Sequence, residues 1–255
     1  MVTDLRYVPW PIYKAKFMNH LRPDKDPFGV AIADYYAGRT NGKLIVLSDI
    51  AEEDFIDVAY LFRTLNEMPA LEQKALQICK GSILDIGAGA GCHSMVLQTQ
   101  KMEVTALEIS PLAVGVMKKM GIRNTINADI FELKNTRYDT LLMLMNGIGI
   151  TGNLEGYVRF LDFAKTLLNL GGQIIFDSAD ISYMQETKAK RSHSHRRYHR
   201  EVKYRVRYGK TESAPFNWFF IDYQTAKDIA EKNGYAITKI YDGKYHNYLA
   251  KLYVK

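Results

Sequence analysis

Three acids in the middle of the chain stand at the ends of successive apolar runs, a spacing that could serve a polar ligand. Asp85 lies within Ile83-Leu84-Asp85-Ile86-Gly87-Ala88-Gly89-Ala90-Gly91-Cys92-His93, Glu108 closes residues 103–108, and Asp129 follows residues 123–128. Gly87, Gly89 and Gly91 alternate directly after the first acid. Glycine adopts backbone angles that other residues avoid and lets the chain pass close to a ligand. A buried strand, a glycine turn and a helix start near Ala90 bring free N–H groups to the place where open α/β sheets hold nucleotides. A dinucleotide site wants G-x-G-x-x-G, but Cys92 stands where the third glycine should be. Asp85 would repel a pyrophosphate and would suit a ligand carrying a cationic amine.

The surrounding pattern predicts the elements that position these acids. Pro69 opens a helix with Leu71, Ala75, Leu76 and Cys79 on one face, closed by Gly81. After the glycine turn come a strand at 103–108 and a helix capped by Ser110-Pro111, closed by Gly121. Then follow a strand at 123–128, a nearly all-apolar strand at 138–145 ending at Asn146-Gly147, a helix carrying Leu154, Val158, Leu161, Ala164 and Leu168 on one side, and a strand at 173–177. Strands alternating with helices predict a parallel sheet. Residues 1–67 read as a cap of short elements: a helix at 29–36, a strand at 44–47 and a helix cap at Ser48-Asp49-Ile50, among scattered aromatics including Tyr7, Trp10, Tyr13 and Phe17. Val202, Tyr204, Val206 and Tyr208 alternate as in a strand, with 216–221 as its hairpin partner, then a helix at 223–233 and strands at 235–241 and 247–254. The expected division is a cap over 1–67 and a core over 68–255 that carries an insert at about 182–222.

With 255 residues and 47% hydrophobic content, the chain can bury a large core. No apolar run is long enough for a membrane span, the first residues lack a secretory pattern, and two cysteines make no disulfide framework. A cytoplasmic protein, monomer or homodimer, is expected. The net charge of +6 is local. Lys188, Lys190, Arg191, Arg196, Arg197 and Arg200 account for it, and the rest of the chain is balanced. His193, His195 and His199 lie among those cations, which oppose a metal there, so no metal site is expected. This basic segment reads as a solvated loop, with an anion clamp or nucleic-acid contact as the alternatives.

Taken together, these motifs resemble the class I S-adenosylmethionine-dependent methyltransferases. The residues that carry the resemblance are Leu84 to Gly91, Ala106-Leu107-Glu108-Ile109-Ser110, Ala128-Asp129-Ile130, Tyr138-Asp139 and residues 167–172, in the family's order and spacing. The resemblance implies an α/β, Rossmann-like seven-stranded, mostly parallel sheet with one antiparallel strand and helices on both faces, plus the N-terminal cap and an inserted β-hairpin. It implies S-adenosyl-L-methionine as donor and S-adenosyl-L-homocysteine as product. Asp85 would lie near the methionine amino group. Gly87, Ala88 and Gly89 would pass beside the methionine and ribose, and Glu108 would accept the ribose hydroxyls. Asp129 would accept the adenine amine, with Ile109 and Ile130 sandwiching the ring, and Asn146 would face the reacting methyl or the acceptor.

Asn146 and His93 are the candidates for a catalytic role. Asn146 can equally be a turn-capping side chain and His93 a polar residue on a helix face. Tyr60, Arg63, Tyr183 and Trp218 are further candidate contacts, with Arg63 suited to the donor carboxylate. Asn146-Gly147-Ile148-Gly149 departs from the Asn/Asp-Pro-Pro-aromatic motif of enzymes that methylate base amines or glutamine amides. The expected reaction is in-line methyl displacement onto a small-molecule acceptor, where alignment can supply about 7–11 kcal/mol. The alternatives are a donor-binding protein without turnover and an RNA or DNA methyltransferase using the basic segment.

Overall fold

The computed structural model describes residues 21–39, 42–182, 201–244 and 246–255. Tyr183, the basic segment 188–200 and the aromatics before residue 21 lie outside the described residues. In chain order the main elements are α1 (Pro27–Tyr36), β1 (Leu44–Ser48), β2 (Asp54–Ile56), α2 (Ala70–Gln77), β3 (Ser82–Ile86), α3 (Cys92–Thr99), β4 (Glu103–Glu108), α4 (Pro111–Lys119), β5 (Asn124–Asn127), β6 (Tyr138–Met143), α5 (Leu154–Leu167), β7 (Leu168–Ala179), β8 (Glu201–Tyr208), β9 (Thr211–Glu212), β10 (Phe216–Phe219), α6 (Tyr223–Lys232), β11 (Tyr235–Asp242) and β12 (Asn247–Val254).

Seven strands form the central sheet in the order β11-β12-β7-β6-β3-β4-β5. β12 runs antiparallel to both its neighbours, and the pairs among β7, β6, β3, β4 and β5 are parallel. Ile83 and Leu84 in β3 are fully buried, as a strand covered on both faces requires. Leu71, Ala75 and Leu76 of α2 and Val96 and Leu97 of α3 cover one face. On the other, α5 buries Tyr157, Phe160, Leu161, Ala164 and Leu167 against Leu141, Ile174 and Phe176. Each large side chain so buried contributes about 1.5–3 kcal/mol of transfer free energy. The chain winds outward from β3 through β4 to β5, then returns to build β6 and β7 on the other side. β3 and β6 therefore flank a topological switch point, where open α/β sheets bind ligands.

A second sheet, β10-β8-β1-β2 with β9 alongside β8, joins the cap to the inserted hairpin. β8 pairs with β1 from Leu44↔Tyr208 to Ser48↔Tyr204 and with β10 from Phe216↔Tyr204 to Phe219↔Glu201. The helix expected at Ser48-Asp49-Ile50 is instead the turn between β1 and β2. Ser48 Oγ accepts from the Ala51 N–H at 2.9 Å, and Asp49 accepts from the Lys203 N–H at 3.0 Å. Pairing of β1 with strands on both sides fixes that turn in place of a helix start. α3 begins two residues later than expected, at Cys92, because Gly91 sits at φ +85 and ends the turn.

Packing contacts at two places help hold the second sheet and α1 to the core. Ala31, Ile32, Leu44 and Val206 pack with Ala90, Ala113 and Val116 beside the glycine turn. Trp218 packs over Gly149, where an added Cβ would overlap the indole. Gly149→Ala is therefore expected to cost about 1–3 kcal/mol, the range for overpacking, read as a lowered urea midpoint. An unchanged midpoint would mean that the Trp218 contact is not tight.

Candidate functional site

The glycine turn is held open by its own backbone and by Glu108. Gly87 and Gly89 have φ of +73 and +57, and a Cβ at either would meet no atom within 4 Å. Space is therefore available beside two backbone positions that favour glycine. The Gly87 and Ala88 N–H groups donate to Leu107 O at 2.9 and 3.0 Å. Glu108, at the end of β4, accepts from the Gly89 N–H at 2.8 Å through one oxygen and from the Ser110 N–H at 2.9 Å through the other. Burial raises its pKa against those two hydrogen bonds, with the nearby charge of Asp26 adding to the rise. Ile109, next along, is exposed, and Ile130 is buried. Asp129 is exposed and accepts from the Phe131 N–H at 2.9 Å. Neighbouring strands bring these acids along one edge of the sheet: Asp85 is in register with Ala106, and Glu108 with Asn127.

Asp85 is 2% exposed and accepts from Ser94 Oγ at 2.7 Å. Burial raises its pKa, opposed by His93 and by the Ser94 bonds. Behind it lies a buried network. Glu72 on α2 accepts from Arg63 Nε at 3.1 Å, from Arg63 Nη2, and from His93 Nε2 at 2.9 Å, all through one oxygen. The Arg63 guanidinium stacks on the Tyr60 ring, 4.0 Å from its centroid, and Tyr60 Oη is 3.4 Å from the other Glu72 oxygen. Burial alone would lower the His93 pKa, but hydrogen bonds to Cys92 and Glu72 and the charge of Asp85 raise it to about 10. A protonated imidazole at neutral pH has no lone pair to offer as a base. Burial alone would raise Glu72, but the His93 and Arg63 contacts hold it below the usual carboxylate range. Arg63, 5% exposed, thus has an internal carboxylate partner.

On the other side of β3, Met145 and Asn146 both adopt positive φ, at +60 and +55. Two such residues in succession store strain of the kind that gathers at functional sites. Asn146 Nδ2 donates to Phe219 O at 3.1 Å and its Oδ1 accepts from Ser178 Oγ at 2.8 Å, so its amide links the ends of β6, β7 and β10. Its N–H donates to both oxygens of Asp177, at 2.9 and 3.0 Å. Burial pushes Asp177 up to about 7 against that N–H, with Glu72 raising it and His93 lowering it. Sequence reasoning passed over Asp177 as a site residue, although it follows the apolar run Ile174-Ile175-Phe176 near the end of β7. It also passed over Glu72, which reads as an ordinary helix charge, and Asp26. Asp26 accepts from Ser110 Oγ at 2.5 Å and from the Gly29 N–H at 2.7 Å, clamping α1 to the start of α4. The pair Asp26-Pro27 has the signature of a helix N-cap and could have been found.

An open α/β sheet with a glycine turn, a strand-ending acid beside it and a switch point defines a nucleotide-binding site of the class that open α/β enzymes carry. The chain is 42% identical to a SAM-dependent methyltransferase from Bacteroides fragilis, solved in complex with S-adenosyl-L-homocysteine; the match covers 92% of this chain and 97% of that one, with a TM-score of 0.85. The chain belongs to the class I S-adenosylmethionine-dependent methyltransferases, and S-adenosyl-L-methionine is its methyl donor. The fold is shared with a S-adenosylmethionine-dependent methyltransferase from Clostridium acetobutylicum ATCC 824, at 12% identity over 74% of this chain and 93% of that one, TM-score 0.53. It is shared too with the sugar N-methyltransferase KedS8 from Streptoalloteichus sp ATCC 53650, at 14% identity over 78% and 92%, TM-score 0.54. No protein-family model and no curated protein matches the chain. Among the described residues, no helix is long and apolar enough to cross a membrane, and no group of three or more His, Cys, Asp or Glu side chains could hold a metal.

Proposed function

We propose that this methyltransferase holds its donor across the carboxyl ends of β3, β4 and β5 and serves a small-molecule acceptor on the β6 and β7 side. The observation that carries the donor placement is the open space beside Gly87 and Gly89, next to a Glu108 carboxylate already aligned by two backbone N–H groups. In this reading Gly87, Ala88 and Gly89 run beside the methionine and ribose, and Glu108 accepts the ribose hydroxyls. Ile109 and Ile130 flank the adenine, Asp129 receives its amine, and Asp85 sets a negative field beneath the methionine amine. Arg63, Tyr60 and His93 form the floor through Glu72. Asn146 shapes the strand end near the reacting methyl through its backbone. The bound donor supplies a methyl already activated on a positive sulfur, so the protein's main task is alignment.

The cap and the hairpin are proposed to act as one cover over a core at 68–255. Their shared sheet and the Trp218–Gly149 and Asn146–Phe219 contacts support this reading, and they favour a small acceptor over a duplex. Trp218 then lies at the acceptor's edge. Incubation with methyl-labelled donor, a metabolite extract and total RNA tests the acceptor class. The reading predicts label in low-mass products. Label in RNA alone, or donor binding without any transfer, would contradict it.

A further inference from the structure

The polar groups at the ends of β6 and β7 are not equivalent. Both ends of the Asn146 amide are engaged, with Phe219 O and with Ser178 Oγ. Ser178 Oγ also accepts from the Ile221 N–H at 3.1 Å. Asp177 is different. Its two oxygens accept from the Asn146 N–H, and its own backbone N–H also bonds the carboxylate, although a carboxylate offers about four acceptor sites. Among the described residues no cation forms an ion pair with it, and it is partly exposed. It sits one strand beyond β6 from the glycine turn: Asp85 is in register with Leu142, Leu142 with Ile175, and Asp177 follows two residues on, just past the last β6–β7 pair and still paired with Leu249 of β12.

We propose that Asp177 receives the amine of the acceptor, so that the substrate class is a small primary or secondary amine methylated on nitrogen. The inference rests on the donor placement proposed above. An amine arrives as an ammonium and has no lone pair until it loses a proton. Asp177 in its carboxylate form binds that ammonium and takes the proton, leaving a neutral amine and a carboxyl group. The nitrogen lone pair then forms the N–C bond as the methyl–sulfur bond breaks, its electron pair staying on sulfur. The product leaves as a methylated ammonium and a thioether, and Asp177 returns its proton to water. A carboxyl titrating at about 7 is matched to that exchange at neutral pH. The groups facing it are Glu72 from α2, which disfavours its charge, and His93 from α3, the Asn146 N–H beyond the end of β6 and its own N–H, which favour it.

The test is calorimetry on enzyme saturated with S-adenosyl-L-homocysteine, titrated with butylamine, phenethylamine and glucosamine and with butanol, 2-phenylethanol and glucose. At least one amine is expected to bind about tenfold or more tightly than its matched alcohol. That preference should be present above pH 7 and lost as the pH falls through about 7, where Asp177 gains its proton. Asp177→Asn keeps an acceptor for the Asn146 N–H and should remove the preference while leaving affinity for S-adenosyl-L-homocysteine within about twofold. Equal binding of amines and alcohols, or no amine binding up to about 10 mM, would overturn the proposal. So would a preference that survives in Asp177→Asn, or a loss of product affinity in that variant. The product titration in wild-type enzyme reads donor-site binding separately, so failure of the amine assignment and failure of the donor placement are distinct results.

Discussion

Replacing Glu72 with alanine is expected to destabilise the fold by about 3–5 kcal/mol, the range for leaving buried charges without their partner. Arg63, Glu72 and His93 are each 5% exposed, and one Glu72 oxygen serves both cations. Without it, the Arg63 guanidinium is buried without its carboxylate and His93, whose Nε2 lies 3.3 Å from Arg63 Nη2, loses a partner that favours its charge. For a domain of this size the loss corresponds to roughly 6–20 °C in melting temperature. Thermal and urea denaturation of wild type and Glu72→Ala check it; a difference within about 0.5 kcal/mol, as for an ordinary surface charge, would mean the network is not buried as described. The pH dependence adds a second reading. His93 titrates at about 10 in the folded protein against an ordinary 6.5. Its contribution is therefore complete below pH 6.5 and is lost as the pH rises through about 10. Wild type should lose stability across that interval, and Glu72→Ala should lose much less.

Glu108→Ala is expected to weaken binding of S-adenosyl-L-homocysteine by about 10²–10³-fold. Two consequences add. The ribose hydroxyls lose a charged acceptor, with each such hydrogen bond contributing about 1.5–3 kcal/mol. The Gly89 and Ser110 N–H groups also lose the carboxylate that aligns the turn. The fold should survive, because neither partner lies in the central packing of the sheet. Glu108→Gln keeps one good acceptor and should fall between wild type and alanine. Calorimetric titration measures the affinity, and the melting temperature separates a binding defect from unfolding. Affinity unchanged in Glu108→Ala would remove Glu108 from the ribose site.

Legibility in the sequence followed the range of the interactions. β4, β8 and β12 have the bounds that their apolar runs or alternation predict. The acids Asp85 and Glu108 stand beside the glycine turn because each ends a buried strand, a local pattern. The pairing of β1 with β8 was not legible: nothing in either strand marks a partner from the other end of the chain, and the cap and hairpin read as separate pieces. Ser48-Asp49-Ile50 has helix-cap composition, yet strand pairing on both sides of β1 decides its conformation. Glu72 looks like one more charge on an amphipathic helix, and only tertiary packing brings Arg63 and His93 to it. Asn146 carried both readings at the sequence level, a turn residue and a site residue. In the structure its side chain does not cap the turn that follows; its amide bridges Phe219 O and Ser178 Oγ instead. Asp177 was visible in kind, as an acid following the apolar run Ile174-Ile175-Phe176, but its partner Asn146 comes from the turn after β6.

The measurement that bears most directly on the donor placement is a crystal structure of the chain with S-adenosyl-L-homocysteine. The account predicts both ribose hydroxyls within hydrogen-bond distance of the Glu108 carboxylate, the chain of Gly87 to Gly89 against the methionine and ribose, and the sulfur facing the strand ends that carry Asn146 and Asp177. An adenosyl group bound away from Glu108, for example in the cavity lined by Tyr35, Arg39, Phe55 and Tyr208 beside the second sheet, would contradict it.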